Sequence, residues 1–196
     1  MAIRKNHKKR GSTLSLSLML IALIGLVVAI ILWPVEAKAS TPAATTAQDD
    51  LVTTTLIHRG DVAPNFSVEM LDGTTVQLTD LRGKPVLLIF WATWCPPCRS
   101  ELAHLQEGVI DVYGDTITVL PISRGEKRDV VESYISRMGY TFAVGLDSDQ
   151  NIYRMYATNY VPRCFVIDSE GKVLYAGVGY DEEIAKEVDA AIQEAL

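Results

Sequence analysis

The sequence predicts an α/β domain, a central mixed sheet flanked by helices, preceded by an N-terminal transmembrane helix. Three observations carry this. Residues 85–92, PVLLIFWA, form an unbroken apolar run of strand length, as expected of a central strand covered on both faces. Strand-like runs then alternate with segments of helical spacing before a closing hairpin and helix, a pattern of mixed sheets with helices on both faces. Upstream, residues 14–33, LSLSLMLIALIGLVVAIILW, make a twenty-residue apolar stretch; as a helix it spans about 30 Å, the thickness of a bilayer core.

Residues 1–13 carry Arg4, Lys5, Lys8, Lys9 and Arg10 and no acid. Such a basic tail stays in the cytoplasm, so 14–33 reads as a signal anchor in the inner membrane with the rest of the chain outside the cytoplasm. The stretch AKAS, 37–40, leaves a rival open: cleavage after Ala39 would release a soluble periplasmic protein. Residues 34–59 are mostly small and polar and read as a flexible linker, with room for a short strand near Leu56. Residues 60–196 form the remaining domain, large enough for one core.

Within that domain, FSVEML and TTVQL flank Asp72 and Gly73, a hairpin pattern. DLRGK reads as a short helical turn ending at Gly83. After the strand at 85–92, a helix runs from Pro97 to near Gly114, with Leu102, Leu105, Val109 and Val112 on its inner face. Gly108 costs this helix about 1 kcal/mol. TITVLPIS is a strand, EKRDVVESYISRMG a helix stopped by Gly139, TFAVGLD a short strand, and SDQNIYRMYATN a further helix. CFVID, 164–168, turns at SEG and returns antiparallel as KVLYAGVG; EEIAKEVDAAIQEAL is a closing amphipathic helix.

From Gly60 onward, 11 Lys and Arg face 21 Asp and Glu, a net charge of about −10. That balance, with no basic patch interleaved with aromatics, argues against nucleic acid as a partner.

The chain has three cysteines, Cys95, Cys98 and Cys164, too few for a disulfide framework. Two of them sit in FWATWCPPCRSE, 90–101. Cys95 falls where a buried strand passes into a helix, near unpaired N–H groups that favour an anion. Pro97 suits the first helical turn. A thiolate at Cys95 therefore forms more readily than on a free cysteine, and Cys98, about one turn inward, is placed to attack a mixed disulfide. A metal site needs about four ligands, usually from two Cys-x-x-Cys knuckles; only one is present, and His7, His58 and His104 are poorly placed. A purely structural bridge would close a tiny loop and stabilise little. Thiol redox chemistry, with no metal or other cofactor, is the favoured reading. A metal or copper carrier using the same cysteines is the non-enzymatic alternative. Cys164, in an apolar strand, reads as a buried, inert thiol.

PVLLIFWATWCPPCRSELAHL strongly resembles the thioredoxin fold, and within it the membrane-anchored, AhpC/TSA-related thiol-disulfide oxidoreductases of the TlpA/ResA type. The resemblance covers nearly all of 60–196. A second match is YVPRCFVID, where the family has a cis proline beside the reactive disulfide; Pro162 fits it. The resemblance implies that Cys95 is the attacking thiol, open to a client's sulfur beside Pro162, and that Cys98 resolves the mixed disulfide. Trp94 would shield the pair, Trp91 would pack behind it, Pro96 and Pro97 would shape the turn, and the Val161 backbone would pair with a bound client segment. Glu101 lies three residues after Cys98, on its helix face, where cytochrome-maturation members carry an acid; it would hold or shuttle the proton of Cys98. The buried aspartate of cytoplasmic thioredoxin maps to Ile89. Implied partners are disulfide-bearing envelope proteins, apocytochrome c among them, and a membrane electron donor of the DsbD/CcdA type. Oxidase or isomerase activity is the enzymatic alternative. VAPNFSVEMLDG also resembles the opening of the related peroxiredoxins, but these use a lone threonine-associated cysteine.

Overall fold

The computed structural model describes residues 53–196 together with Leu23, Gly25 and Leu26, three helical residues of the apolar run. The basic tail, most of the predicted anchor, the cleavage point after Ala39 and most of the linker lie outside the described residues. Among the described residues no helix is long and apolar enough to cross a membrane.

A seven-stranded mixed sheet organises the domain. Its strands are β1 (Ser67–Met70), β2 (Thr75–Gln77), β3 (Val86–Trp91), β4 (Thr118–Arg124), β5 (Gly145–Asp147), β6 (Arg163–Ile167) and β7 (Val173–Val178), in the order β2-β1-β5-β4-β3-β6-β7. All six residues of β3 are buried, because β3 is flanked by β4, parallel, and β6, antiparallel, and covered on both faces. The β1–β2 hairpin forms as expected, with Gly73 in the left-handed region at φ 86°. DLRGK contributes to a 3-10 turn at Leu78–Leu81.

The pleat divides β3 between two cores. Leu87, Ile89 and Trp91 face one, which also takes buried residues of α1 (Pro96–Leu105), α2 (Arg128–Met138) and the last helix, α4 (Glu182–Ala195). Val86, Leu88 and Phe90 face the other, with Phe66, Leu78 and the short helix α3 (Tyr153–Tyr156). The steps β3-α1-β4 and β4-α2-β5 move the same way across the sheet, so right-handed crossovers set α1 and α2 on one face. The return from β5 to β6 crosses the other.

Two helices depart from expectation. α1 passes into a π-helical turn at Gln106–Ile110 and ends in a short turn, Asp111–Tyr113. The π turn includes Gly108, where a Cβ would lie 2.2 Å from the His104 ring. The extra residue rotates the helical face beyond it. Ile110 and Tyr113 therefore pack on the core, and Val112, expected inside, is 63% exposed. The segment SDQNIYRMYATN is helical only at Tyr153–Tyr156. Asp147 takes the N–H groups of Ile152 and Tyr153 at 3.1 and 2.7 Å, and Gln150 stands at φ 63°, so the helix starts late. It stops at Ala157, which pairs with Thr55 in an antiparallel bridge; the strand expected near Leu56 is this single bridge.

Phe90, fully buried with ring contacts to Tyr153, Tyr156 and Phe165, anchors the second core. Phe90→Ala is expected to cost about 3–5 kcal/mol in denaturant unfolding. Val112→Ser is expected to cost about 0.5 kcal/mol or less, as for an ordinary surface position; a core-sized loss there would refute the rotated register.

Candidate active site

The site is assembled where β3 gives way to α1. Cys95 is the N-cap of α1, in extended conformation, and Pro96 and Pro97 open the helix. Neither proline has an N–H. The first donor of the helix is therefore Cys98, whose N–H points at the Cys95 sulfur at 3.3 Å; the next, Arg99 N–H, closes on the Cys95 carbonyl at 3.1 Å. Two prolines thus leave a single first-turn donor directed at this sulfur, where it favours negative charge.

Cys95 and Cys98 are joined as a disulfide, with Cα atoms 5.3 Å apart. Cys98 is wholly buried and Cys95 is 3% exposed. The order of depth is the expected one, but the outer sulfur does not stand open. In the disulfide form it lies in a seam between Trp94, which is 62% exposed, exposed Pro96, and half-buried Val161. The Val161 carbonyl oxygen is 3.4 Å from the Cys95 sulfur, and packing of this loop against the cysteine is what closes the seam. The Val161–Pro162 peptide is cis. Trp91 is buried behind, its ring 5.7 Å from that of Tyr134.

Glu101 is on the buried face of α1 with Cys98, Leu102 and Leu105. It is 6% exposed, and its Oε2 has no hydrogen-bond partner. Burial alone pushes its carboxyl up to about 8, because water no longer stabilises the charged form. A cavity of about 50 Å³ lies beside it, lined also by Ile89, His104 and Tyr180. The acid thus reaches the neighbourhood of Ile89 from the helix rather than from the strand. Cys164 pairs across the sheet with Ile89 and is buried. Burial, and secondarily the Glu101 carboxylate, push its thiol well up, so it stays protonated.

Two site-building residues have no motif in the sequence. Glu126, nearly buried in the loop after β4, receives the Thr93 N–H at 2.8 Å and the Thr93 hydroxyl at 2.5 Å, one on each oxygen, and the Ser123 hydroxyl at 3.0 Å. It clamps the residue two before Cys95. The available signal was topological: parallel neighbours β3 and β4 deliver their following loops to the same edge of the sheet. The other is Arg163, directly after Pro162 and fully buried.

The sequence profile of the AhpC/TSA family matches residues 59–176. Thiol-disulfide oxidoreductase ResA of Bacillus subtilis is 33% identical over 123 residues, covering 63% of this chain and 69% of that protein. The ResA of Geobacillus thermodenitrificans is 33% identical over 138 residues, covering 69% and 79%. A solved thiol:disulfide interchange protein of the thioredoxin family from Chlorobium tepidum superposes with a TM-score of 0.60 at 28% identity, covering 70% of this chain and 97% of that one. These likenesses go with a thioredoxin-like fold.

Glu101 gives a pH test. Its folded pKa, about 8, lies above its ordinary value of 4.5, so the folded state holds the proton more tightly. Below the ordinary value Glu101 adds no pH dependence; between 4.5 and about 8 rising pH costs the native state stability. Thermal unfolding of the oxidised protein should show the wild type losing ground to Glu101→Gln across that window. A constant difference would refute the buried, neutral acid.

Proposed function

Since the chain belongs to the AhpC/TSA family, as a ResA-like thiol-disulfide oxidoreductase, we propose that it reduces disulfides of envelope proteins, apocytochrome c among the candidates, from a domain held outside the cytoplasm by the 14–33 anchor. The observation that carries this reading is the Cys95 sulfur at the N-cap of α1, bonded to a deeper Cys98 and flanked by the Val161–Pro162 loop.

In the reduced protein the Cys95 thiolate attacks one sulfur of a client disulfide. A Cys95–client disulfide forms, and the first client sulfur leaves as a thiolate that takes up a proton. Cys98 then loses its proton and attacks the Cys95 sulfur; the second client sulfur departs and is protonated. Two electrons have moved to the client, and the Cys95–Cys98 disulfide is restored. Glu101 is the proposed proton partner of Cys98. A carboxyl held up to about 8 by burial keeps its proton near neutral pH far better than an ordinary carboxyl, so it can both give and take a proton there. Trp94 and Pro96 border the seam through which the client sulfur enters, and the Val161 backbone holds the client chain. A membrane electron donor of the DsbD/CcdA type would return the pair to the dithiol.

Cys95→Ser should abolish reduction of a protein disulfide such as that of insulin. Cys98→Ser should stop after the first exchange and accumulate a mixed disulfide through Cys95, seen as a client-sized mass increase that a reductant removes. Retained turnover in Cys95→Ser would overturn the assignment.

A further inference from the structure

We infer that Arg163 is a positioning residue that fastens the described end of the linker, Thr54 and Thr55 (here the tether), to the loop that holds Val161 against Cys95, and so controls how well a client segment is engaged. This rests on the proposed role of that loop in client binding.

Arg163 is the first residue of β6 and fully buried. Its cross-strand partner is Phe90, so its side chain lies on the sheet face away from Cys164 and the cysteine pair. Among the described residues no carboxylate pairs with it. A buried cation needs other acceptors, and two hydroxyls and a carbonyl supply them. Nε and Nη2 both donate to the Asn159 carbonyl, at 3.1 and 2.7 Å. Nη2 also donates to the Thr54 hydroxyl at 2.6 Å, and Nη1 donates to the Thr55 hydroxyl. The guanidinium fork is therefore divided: one side grips the loop, the other grips the tether.

Backbone bonds run the same way. The Leu56 N–H donates to the Tyr156 carbonyl at 3.0 Å, and the Thr158 N–H to the Thr54 carbonyl at 2.9 Å. The loop then turns at Tyr160, which stands at φ 68° with its carbonyl held by the Tyr153 hydroxyl at 2.6 Å. One residue later comes Val161, whose carbonyl touches the Cys95 sulfur. Between tether and sulfur there is thus a short chain of direct contacts: Thr54 and Thr55, Arg163, Asn159, then the 160–162 turn. A tether lifted from its seat would leave Arg163 with unpaired buried donors and only one carbonyl to hold. Lysine cannot replace it, because a single ammonium does not span both sides of a divided fork.

The test uses the full chain in detergent, reduced and assayed against two substrates. One is a peptide disulfide long enough to lie along Val161; the other is hydroxyethyl disulfide, which has no backbone to hold. In the Thr54→Val/Thr55→Val double variant and in Arg163→Lys, KM for the peptide should rise about tenfold, the loss of one or two hydrogen bonds to a charged group. Peptide kcat and the rate with hydroxyethyl disulfide should stay within about twofold. Thr54→Ser/Thr55→Ser, which keeps both hydroxyls, should restore the wild-type KM. The threonine pair carries the test if Arg163→Lys does not fold. An unchanged peptide KM in the valine pair, or equal slowing with both substrates, would overturn the inference. Activity of Cys95→Ser toward the peptide would instead overturn the reading beneath it.

Discussion

The structure turns on one contact, the Cys98 N–H pointing at the Cys95 sulfur from the first turn of α1. A sulfur at this place is the N-cap of its own helix, and charge there is met by a fixed donor and the aligned peptide dipoles. The contact requires that the strand before it not move. β3 is buried along its length and paired on both sides, and Glu126 locks the short connection at Thr93. Pro96 and Pro97 remove competing donors and pre-set the helical φ. The rest of the fold gives this helix end a rigid seat.

Around that contact the site combines groups that differ sharply in hydration. Cys95 meets solvent only through a seam. Cys98 and Glu101 lie in the interior, and Glu101 keeps an unpartnered oxygen next to a small cavity. An unpaired acid in such a place weakens the native state as it ionises. Unpaired buried acids of this kind, costly to the fold, are found most often near reacting centres.

Much of this was legible in the sequence. The apolar run at 85–92, the Cys-x-x-Cys after it and the Gly139 stop gave the central strand, the site and the end of α2, because local pattern and tertiary burial agree there. Where they part, local pattern misleads. Val112 has the spacing of a core residue but comes after a π turn, which helical periodicity alone does not reveal. The helix expected over 148–159 shrank because Asp147 captures its first N–H groups. The exposure expected of Cys95 failed because the Val161 loop, some sixty residues later, packs on it. Glu126 and Arg163 were not found, since an acid in a polar loop and an arginine after a proline look like surface residues until the sheet order brings them to Thr93 and to the tether.

The seat of Cys95 favours its thiolate. This is tested most directly by the pH dependence of Cys95 alkylation in a Cys98→Ser, Cys164→Ala protein, in which the residue-98 backbone N–H remains in place. The thiol pKa is expected clearly below that of a free cysteine, about 8.5. A value at or above that of the free amino acid would show that the helix end does not charge this sulfur.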